Sequence, residues 1–465
     1  MKALSSDTTT AEKPVVVIGG ASGFVGGELG RALAARFRVV GISRRAGPPA
    51  GPFSEWRAAD LLNLRQAEEA LAGARFAVYL VHSMMPSARL TQASFSDLDL
   101  LSADNFARAA ARAGVEQIVY LGGLLPEGTT LSPHLESRRE VEETLARHGV
   151  PVTTLRAGLV IGGGGSSFEM LVKLVRRLPA MVCPRWTQNR MQPIAIDDVV
   201  KLLAFAVGRR ECFGEVFDVG APEVLTYREL MAMCAELLGV RRLMIPIRLF
   251  TPALSRLWVS LVTGAPRALV GPLVESLRHE MIARDHRLAD MAGLRLEPVR
   301  EALARALAAP QQQHEAKAKP RAPSVVRSVQ RMLLPPDRDA AWAAAEYARW
   351  LPRWLRGLVR VDVDAEGNIR FYSLGVRLPL LVLRYAPDRS TPERQLFFLD
   401  GGLLSQANTA GRFELRQVLD RRTLLVAIHD YSPRLPWLVY VATQAQFHAW
   451  VMAAFRRHLA AAARA

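Results

Sequence analysis

The sequence predicts an α/β chain: a doubly wound parallel sheet over residues 14–309, then a linker at 310–323 and a separate α+β unit at 324–465. Three observations predict it. A β-branched run, Val15-Val16-Val17-Ile18, enters a glycine-rich turn and then a helical pattern at 28–36, as a buried parallel strand joined to a helix does. Apolar strand patterns then alternate with helical ones as far as residue 156, the signature of βαβ units. Beyond the Pro-, Gln- and Lys-rich stretch 310–323 the pattern changes to short β-rich runs between two helices, so a second architecture begins there.

The opening turn reads Gly19-Gly20-Ala21-Ser22-Gly23-Phe24-Val25-Gly26. Gly20 permits a tight turn, Gly23 carries no side chain to hold a pyrophosphate off the backbone, and Gly26 lets the helix approach the strand. Ser22, Phe24 and Val25 fill the intervening positions, where helix N–H groups and the positive dipole end face an anion. A dinucleotide is therefore the expected ligand, with a plain strand–turn–helix connection as the alternative. A second strand at 38–42 ends in Ser43-Arg44-Arg45. The carboxylate that would bind a ribose 2′-hydroxyl is missing, and two guanidinium groups match a 2′-phosphate. This favours NADP(H) over NAD(H); a solvated basic loop is the competing reading.

A third strand at 56–59 leads to Asp60-Leu61. Asp60 either accepts from an adenine amino group or caps the helix at 62–72, and the two roles are compatible. A fourth strand at 75–81 ends in Val81-His82-Ser83, which a parallel sheet points into the cofactor crevice. The long helix at 95–113 closes on Gly114. A fifth strand at 118–121 opens into Gly122-Gly123, and a helix carrying His134 and Arg138 runs to His148. A sixth strand at 152–156 precedes a flexible loop, Gly162-Gly163-Gly164-Gly165.

Together these residues resemble the short-chain dehydrogenase/reductase superfamily in its atypical, extended branch, the NAD-dependent epimerase/dehydratase-like proteins with a Rossmann fold. Gly20-x-x-Gly23-x-x-Gly26 and Asp60-Leu61 match that branch, as do the segments Met191–Val199 and Gly214–Gly220. Tyr79-Leu80-Val81-His82-Ser83-Met84 and Tyr120-Leu121-Gly122-Gly123-Leu124 are similar to NAD(P)H-binding members that carry an extra C-terminal domain. A nucleotide-binding accessory subunit of respiratory complex I is a more distant likeness.

The resemblance implies a Ser or Thr after the fifth strand, then a Tyr and a Lys four residues later. Here those places hold Gly122 or Gly123, His134 and Arg138. An (i, i+4) pair shares one helix face. Imidazole can donate a proton near neutral pH, whereas guanidinium stays charged and can only bind or orient. The expected catalytic pair is His134 and Arg138, and Arg138 also contacts the cofactor. The expected cofactor set is completed by Gly20, Ser22, Gly23, Phe24, Val25, Gly26, Arg44, Arg45, Asp60, Leu61, Val81, His82, Ser83 and Gly122. Two functions follow. One is an NADP(H)-dependent oxidoreductase acting on a hydrophobic carbonyl or quinone-like substrate. The other is a noncatalytic NADPH-binding redox sensor or assembly factor whose C-terminal domain binds a lipid or a partner.

Residues 211–300 are expected to form a small substrate-covering part. Within it Thr226 and Glu229 form a capping-box pattern. The apolar stretch 245–274, interrupted by Arg248, Arg256 and Arg267, reads as buried helix, as a lid over an apolar molecule, or as a segment resting on a membrane. In the second unit a helix at 339–354, six strands between 359 and 429 and a closing helix at 441–462 look like the START-like, helix-grip class, which often encloses an apolar ligand. His429-Asp430 is read as structural.

The net charge is +16, from arginines that are scattered rather than gathered with aromatics, so no nucleic-acid partner is expected. Three cysteines, Cys183, Cys212 and Cys234, show no metal or disulfide spacing. The polar residues 1–13 carry no apolar core of a leader, and no clean apolar run suits a spanning helix. The expected location is the cytoplasm, with peripheral contact at the inner face of a membrane as a variant.

Overall fold

The computed structural model describes residues 12–44, 51–82, 88–128, 130–247, 260, 262–264, 267–309, 325–406 and 410–464. The chain divides into two compact units, Met1–His82 with Ser102–Glu315, and Ser83–Leu101 with Ala316–Ala465. Among the described residues, no helix is long and apolar enough to cross a membrane.

The first unit is built on a seven-stranded sheet whose order is Val216–Val219, Val152–Ala157, Gln117–Gly123, Phe76–Tyr79, Val15–Gly19, Arg38–Ser43 and Glu55–Ala58. Every pairing is parallel. Val16 and Ile18 face one core, with Leu29 and Leu33 of the Phe24–Leu33 helix and Leu202 and Leu203 of the Ile196–Ala206 helix. Val17 faces the other, with Leu71, Ala103, Phe106 and Val141. A strand covered on both faces must be apolar at successive positions, which is why the opening run does not alternate. From the central Val15–Gly19 strand the chain moves outward through Arg38–Ser43 and Glu55–Ala58, then returns to the other side at Phe76–Tyr79. The carboxyl ends of Val15–Gly19 and Phe76–Tyr79 therefore flank a topological switch point, where ligands of open α/β sheets bind.

Details of the first unit depart from the sequence reading. Gly122 and Gly123 lie inside the fifth strand, held in register with Arg156 and Ala157, because the parallel ladder continues past Leu121. The stretch 211–300 is not wholly a covering part: Val216–Val219 is the edge strand of the parallel sheet, with Phe217 and Val219 buried in its core. The covering layer instead draws in the Ser166–Arg177 helix and the Ala180–Pro184 strand, which pairs with Leu243–Ile247. These pack with Tyr227–Leu237 and Val299–Ala308 around a separate apolar core. Thr226 and Glu229 cap Tyr227–Leu237 reciprocally.

The second unit is an eight-stranded sheet in the order Val359–Val363, Ile369–Ser373, Leu381–Tyr385, Arg394–Leu399, Arg412–Val418, Thr423–Tyr431, Val326–Leu333 and Leu90–Gln92. All pairs are antiparallel except the last. Phe371, Phe397, Phe413 and Leu415 share a core with Trp350 of the Ala340–Trp354 helix and Phe455 of the Gln444–Ala462 helix. Alternate residues of the same strands, Arg394, Arg412, Glu414 and Arg416, are buried too. Glu414 accepts from Nε of Arg394 at 2.6 Å and of Arg416 at 2.8 Å. Burial raises the Glu414 carboxyl, but the two guanidinium groups overcome it and hold it below the usual carboxylate range. The helix expected over 441–462 is interrupted at Thr443, between Trp437–Ala442 and Gln444–Ala462. The expected linker 310–323 lies outside the described residues.

Candidate functional site

The glycine turn is assembled by short-range contacts. Gly20 has φ +86°, and its carbonyl accepts from the Gly23 N–H at 2.9 Å. A Cβ on Gly20 would lie 2.9 Å from the Leu80 carbonyl, and one on Gly26 only 2.4 Å from the Gly20 oxygen. Gly23 is the N-cap of Phe24–Leu33 and brings no capping side chain. The first-turn N–H groups, which a helix cannot satisfy internally, are thus left to an incoming acceptor. Ser22 and Gly23 are exposed; Phe24 and Val25 are half-buried. The Phe24 ring lies where side chains on Gly162 or Gly165 would stand, so that glycine loop serves close packing.

The other expected cofactor residues are placed as follows. Arg44 is exposed just beyond Arg38–Ser43, whereas Arg45 and Ser83 lie outside the described residues. Asp60 Oδ1 accepts from the Leu62 N–H at 3.1 Å. It does not cap the following helix, Leu64–Leu71, whose N-cap is Asn63. The turn at 60–63 delays the helix by two residues, so the nearer amide takes the capping position. Leu61 is buried beside Gly19, and its carbonyl accepts from Asn105 Nδ2 at 2.8 Å. Asn105 is fully buried. The sequence reading passed over it; a polar residue on the apolar face of the Phe95–Arg112 helix was the available signal.

His82, His134 and Arg138 come together at the same strand-end edge. Ser132 Oγ caps the Pro133–Leu145 helix, and Pro133 opens it. Arg138, one turn beyond His134, passes beside Gly123, and its Nη2 lies 2.8 Å from His82 Nδ1. Guanidinium can only donate, so Nδ1 of His82 accepts and any ring proton sits on Nε2. The His82 and His134 rings are 5.3 Å apart between centroids. The Tyr120 hydroxyl donates to the Arg138 carbonyl at 3.4 Å, tying this helix to the fifth strand. Val81 is half-buried before His82, and Gly122 lies on the strand against the Tyr120 ring.

A cavity of about 190 Å³ is lined in part by Gly123, His134 and Ala157. Leu171, Leu174 and Met231 form further wall, as do Trp186 and Tyr227, which pack edge to face on each other. Burial pushes the Tyr227 phenol up, so it stays protonated. Val270 and Val274 of the Arg267–Ser276 helix close another side, and Ser276 Oγ lies 3.2 Å from Ser132 Oγ. The described part of 245–274 is therefore a paired strand and a cavity wall; residues 248–259 lie outside the described residues. The cavity can take an apolar molecule and offers it one imidazole. Among the described residues, no three His, Cys, Asp or Glu gather as a metal set.

Residues 16–220 match the NAD dependent epimerase/dehydratase family. The auxiliary protein GraX of Staphylococcus aureus is 29% identical over 144 residues, which are 30% of this chain and 43% of that protein; the match spans less than half of that relative's length. An NADPH-dependent quinone oxidoreductase from Escherichia coli, solved with NADPH, superposes with a TM-score of 0.51 at 19% identity, over 63% of this chain and 99% of that one. A triphenylmethane reductase from Citrobacter sp., solved with NADP(H), gives 0.50 at 17%, over 63% and 99%. A nucleoside-diphosphate-sugar epimerase from S. aureus gives 0.51 at 16%, over 62% and 99%. At these identities the likeness is one of fold. The first unit thus has a Rossmann-type fold, and its residues 16–220 are similar to the NAD dependent epimerase/dehydratase family.

Proposed function

We propose that the first unit binds NADP(H) and reduces an apolar carbonyl or quinone-like molecule. The observation that carries this reading is the apolar cavity whose lining includes Gly123 and His134, on the strand-end edge that also bears the glycine turn. The residues fit the cofactor: Gly20, Ser22, Gly23, Phe24, Val25 and Gly26 offer backbone to a pyrophosphate, and Asp60, Leu61, Val81 and Gly122 border the crevice. Arg44, with Arg45 beside it in sequence, suits a 2′-phosphate. The NADP(H) bound in two proteins of like fold supports the same choice. NADPH, when bound, supplies a hydride. His134 holds the proton that the acceptor oxygen needs, Arg138 orients His82, and the apolar walls exclude water.

The alternative, a noncatalytic NADPH-binding sensor or assembly factor, is favoured by one observation: Gly122 or Gly123, His134 and Arg138 stand where the Ser/Tyr/Lys set would be. NADPH oxidation over a panel of quinones and aromatic ketones decides between them. Turnover that falls at least about tenfold in His134→Phe, with NADPH affinity kept, is expected. No turnover with any acceptor, with NADPH still bound, would leave the sensor.

For the second unit the START-like reading is supported by the sheet, its gripping helices and a cavity of about 150 Å³ lined by Leu351, Phe371, Leu381 and Ile428. Its polar end holds His448, whose Nε2 lies 3.2 Å from Ser328 Oγ, and Gln444, bonded to the Tyr431 hydroxyl. Burial drives the His448 imidazole down to about 4, so it is neutral. An apolar molecule with one hydrogen-bonding head fits this arrangement.

A further inference from the structure

Phe447 is 48% exposed and also lines the second unit's cavity, so the cavity reaches the surface there; backbone hydrogen bonds join neighbouring segments one to the next. Leu374 donates to Leu358, Leu380 to Phe371, Leu403 to Pro379, Leu404 to Leu380, and Arg434 to Leu404. Trp450 closes the circuit, 4.3 Å from the Trp354 ring and 5.8 Å from Phe447. Leu355, Leu380, Leu404, Tyr440 and Phe447, all on or beside this circuit, also line the cavity.

This ring exposes what a folded chain ordinarily buries. Leu374 is 72% exposed, Leu378 63% and Leu438 82%, and Leu358, Phe447 and Trp450 are exposed as well. Leu358, Leu374 and Leu378 lie in separate turns, and Leu438 lies in the Trp437–Ala442 helix. Interspersed with them are exposed Arg356, Arg377 and Arg434. The segments 354–358, 374–380, 403–404, 434–439 and 447–450 contain no Asp or Glu. Apolar tips separated by cations, with tryptophan at the margin, match the headgroup layer of an anionic bilayer, where leucine enters the acyl boundary and arginine meets phosphate.

We propose that this leucine–arginine ring docks the second unit on an anionic membrane surface, with the cavity mouth against the bilayer. The proposal rests on the second unit alone and does not require NADP(H) binding by the first. A flat protein partner would call for a continuous patch, and a second copy of this chain would bring the same arginines face to face, so like charges would meet.

The test is co-sedimentation of the full chain with phosphatidylcholine vesicles, with and without phosphatidylglycerol. Binding is expected only with phosphatidylglycerol, and added salt should release it. Arg377→Ala with Arg434→Ala should lower the partition on the order of 30-fold, from about 1 kcal/mol per arginine. Leu374→Ser with Leu378→Ser should lower it comparably with an unchanged melting temperature. Wild-type chain that stays in the supernatant with both vesicles overturns the proposal. So does either double variant binding as wild type, or one that changes the oligomeric state in solution while vesicle binding is kept.

Discussion

Alanine at Gly26 and at its neighbour Gly27 should have opposite effects. Both positions lie in the first turns of the Phe24–Leu33 helix. In each, removing a helical glycine contributes up to about 1 kcal/mol of stability. At Gly27 nothing lies within 4 Å of the added Cβ, so that gain is kept. At Gly26 the Cβ would lie 2.4 Å from the Gly20 oxygen and 2.8 Å from the Ala21 Cα. Both obstacles are backbone, so the helix must move away from the turn, at a cost of about 1–3 kcal/mol. The two variants should therefore differ by about 1–3 kcal/mol in denaturant midpoints converted to free energy. Moving the helix also withdraws its N–H groups from the phosphate position. NADPH affinity, followed by fluorescence titration, should fall about tenfold or more in Gly26→Ala and stay within about twofold in Gly27→Ala. Wild-type affinity in Gly26→Ala, or equal damage from both changes, would refute the close approach on which the site depends.

Other outcomes follow from the same structure. Arg44→Ala should weaken NADPH about tenfold, the value of a charge-assisted hydrogen bond to phosphate, and leave NADH nearly unchanged; calorimetry with both coenzymes checks it. Glu414→Gln leaves Arg394 and Arg416 buried without their carboxylate and should destabilise the second unit by about 3–5 kcal/mol in urea. The second unit should also lose stability in mild acid. His448 is held at about 4 when folded, below the ordinary value near 6.5, and burial also pushes His429 down. The unfolded chain binds the extra proton, so stability is complete above about pH 6.5 and falls toward pH 4, by at most about 1.4 kcal/mol per pH unit for each histidine. Melting curves across that window should show the fall, and His448→Gln should flatten it.

What could be read in the sequence was what short-range contacts decide. Gly20, Gly23 and Gly26 act on one another within seven residues, so their spacing alone reports the turn. The Thr226–Glu229 box is equally local. Asp60 and Asn63 compete within three residues, and composition does not choose between them. The His82–Arg138 bond joins positions 56 residues apart, and the strand Leu90–Gln92 takes its partner from Val326–Leu333; neither leaves a local pattern. Charged residues at alternate strand positions usually face water, so nothing in the sequence marked Arg394, Glu414 and Arg416 as buried. The leucine–arginine ring was illegible for a related reason: its members come from five segments that only the folded sheet brings together.

The most direct test of the nucleotide site is a crystal structure of the full chain grown with NADPH. The account predicts the pyrophosphate against the N–H groups of Ser22, Phe24 and Val25, the 2′-phosphate beside Arg44, and the nicotinamide facing the cavity at Gly123 and His134. NADPH bound elsewhere, or a glycine turn closed by the protein's own side chains, would contradict it.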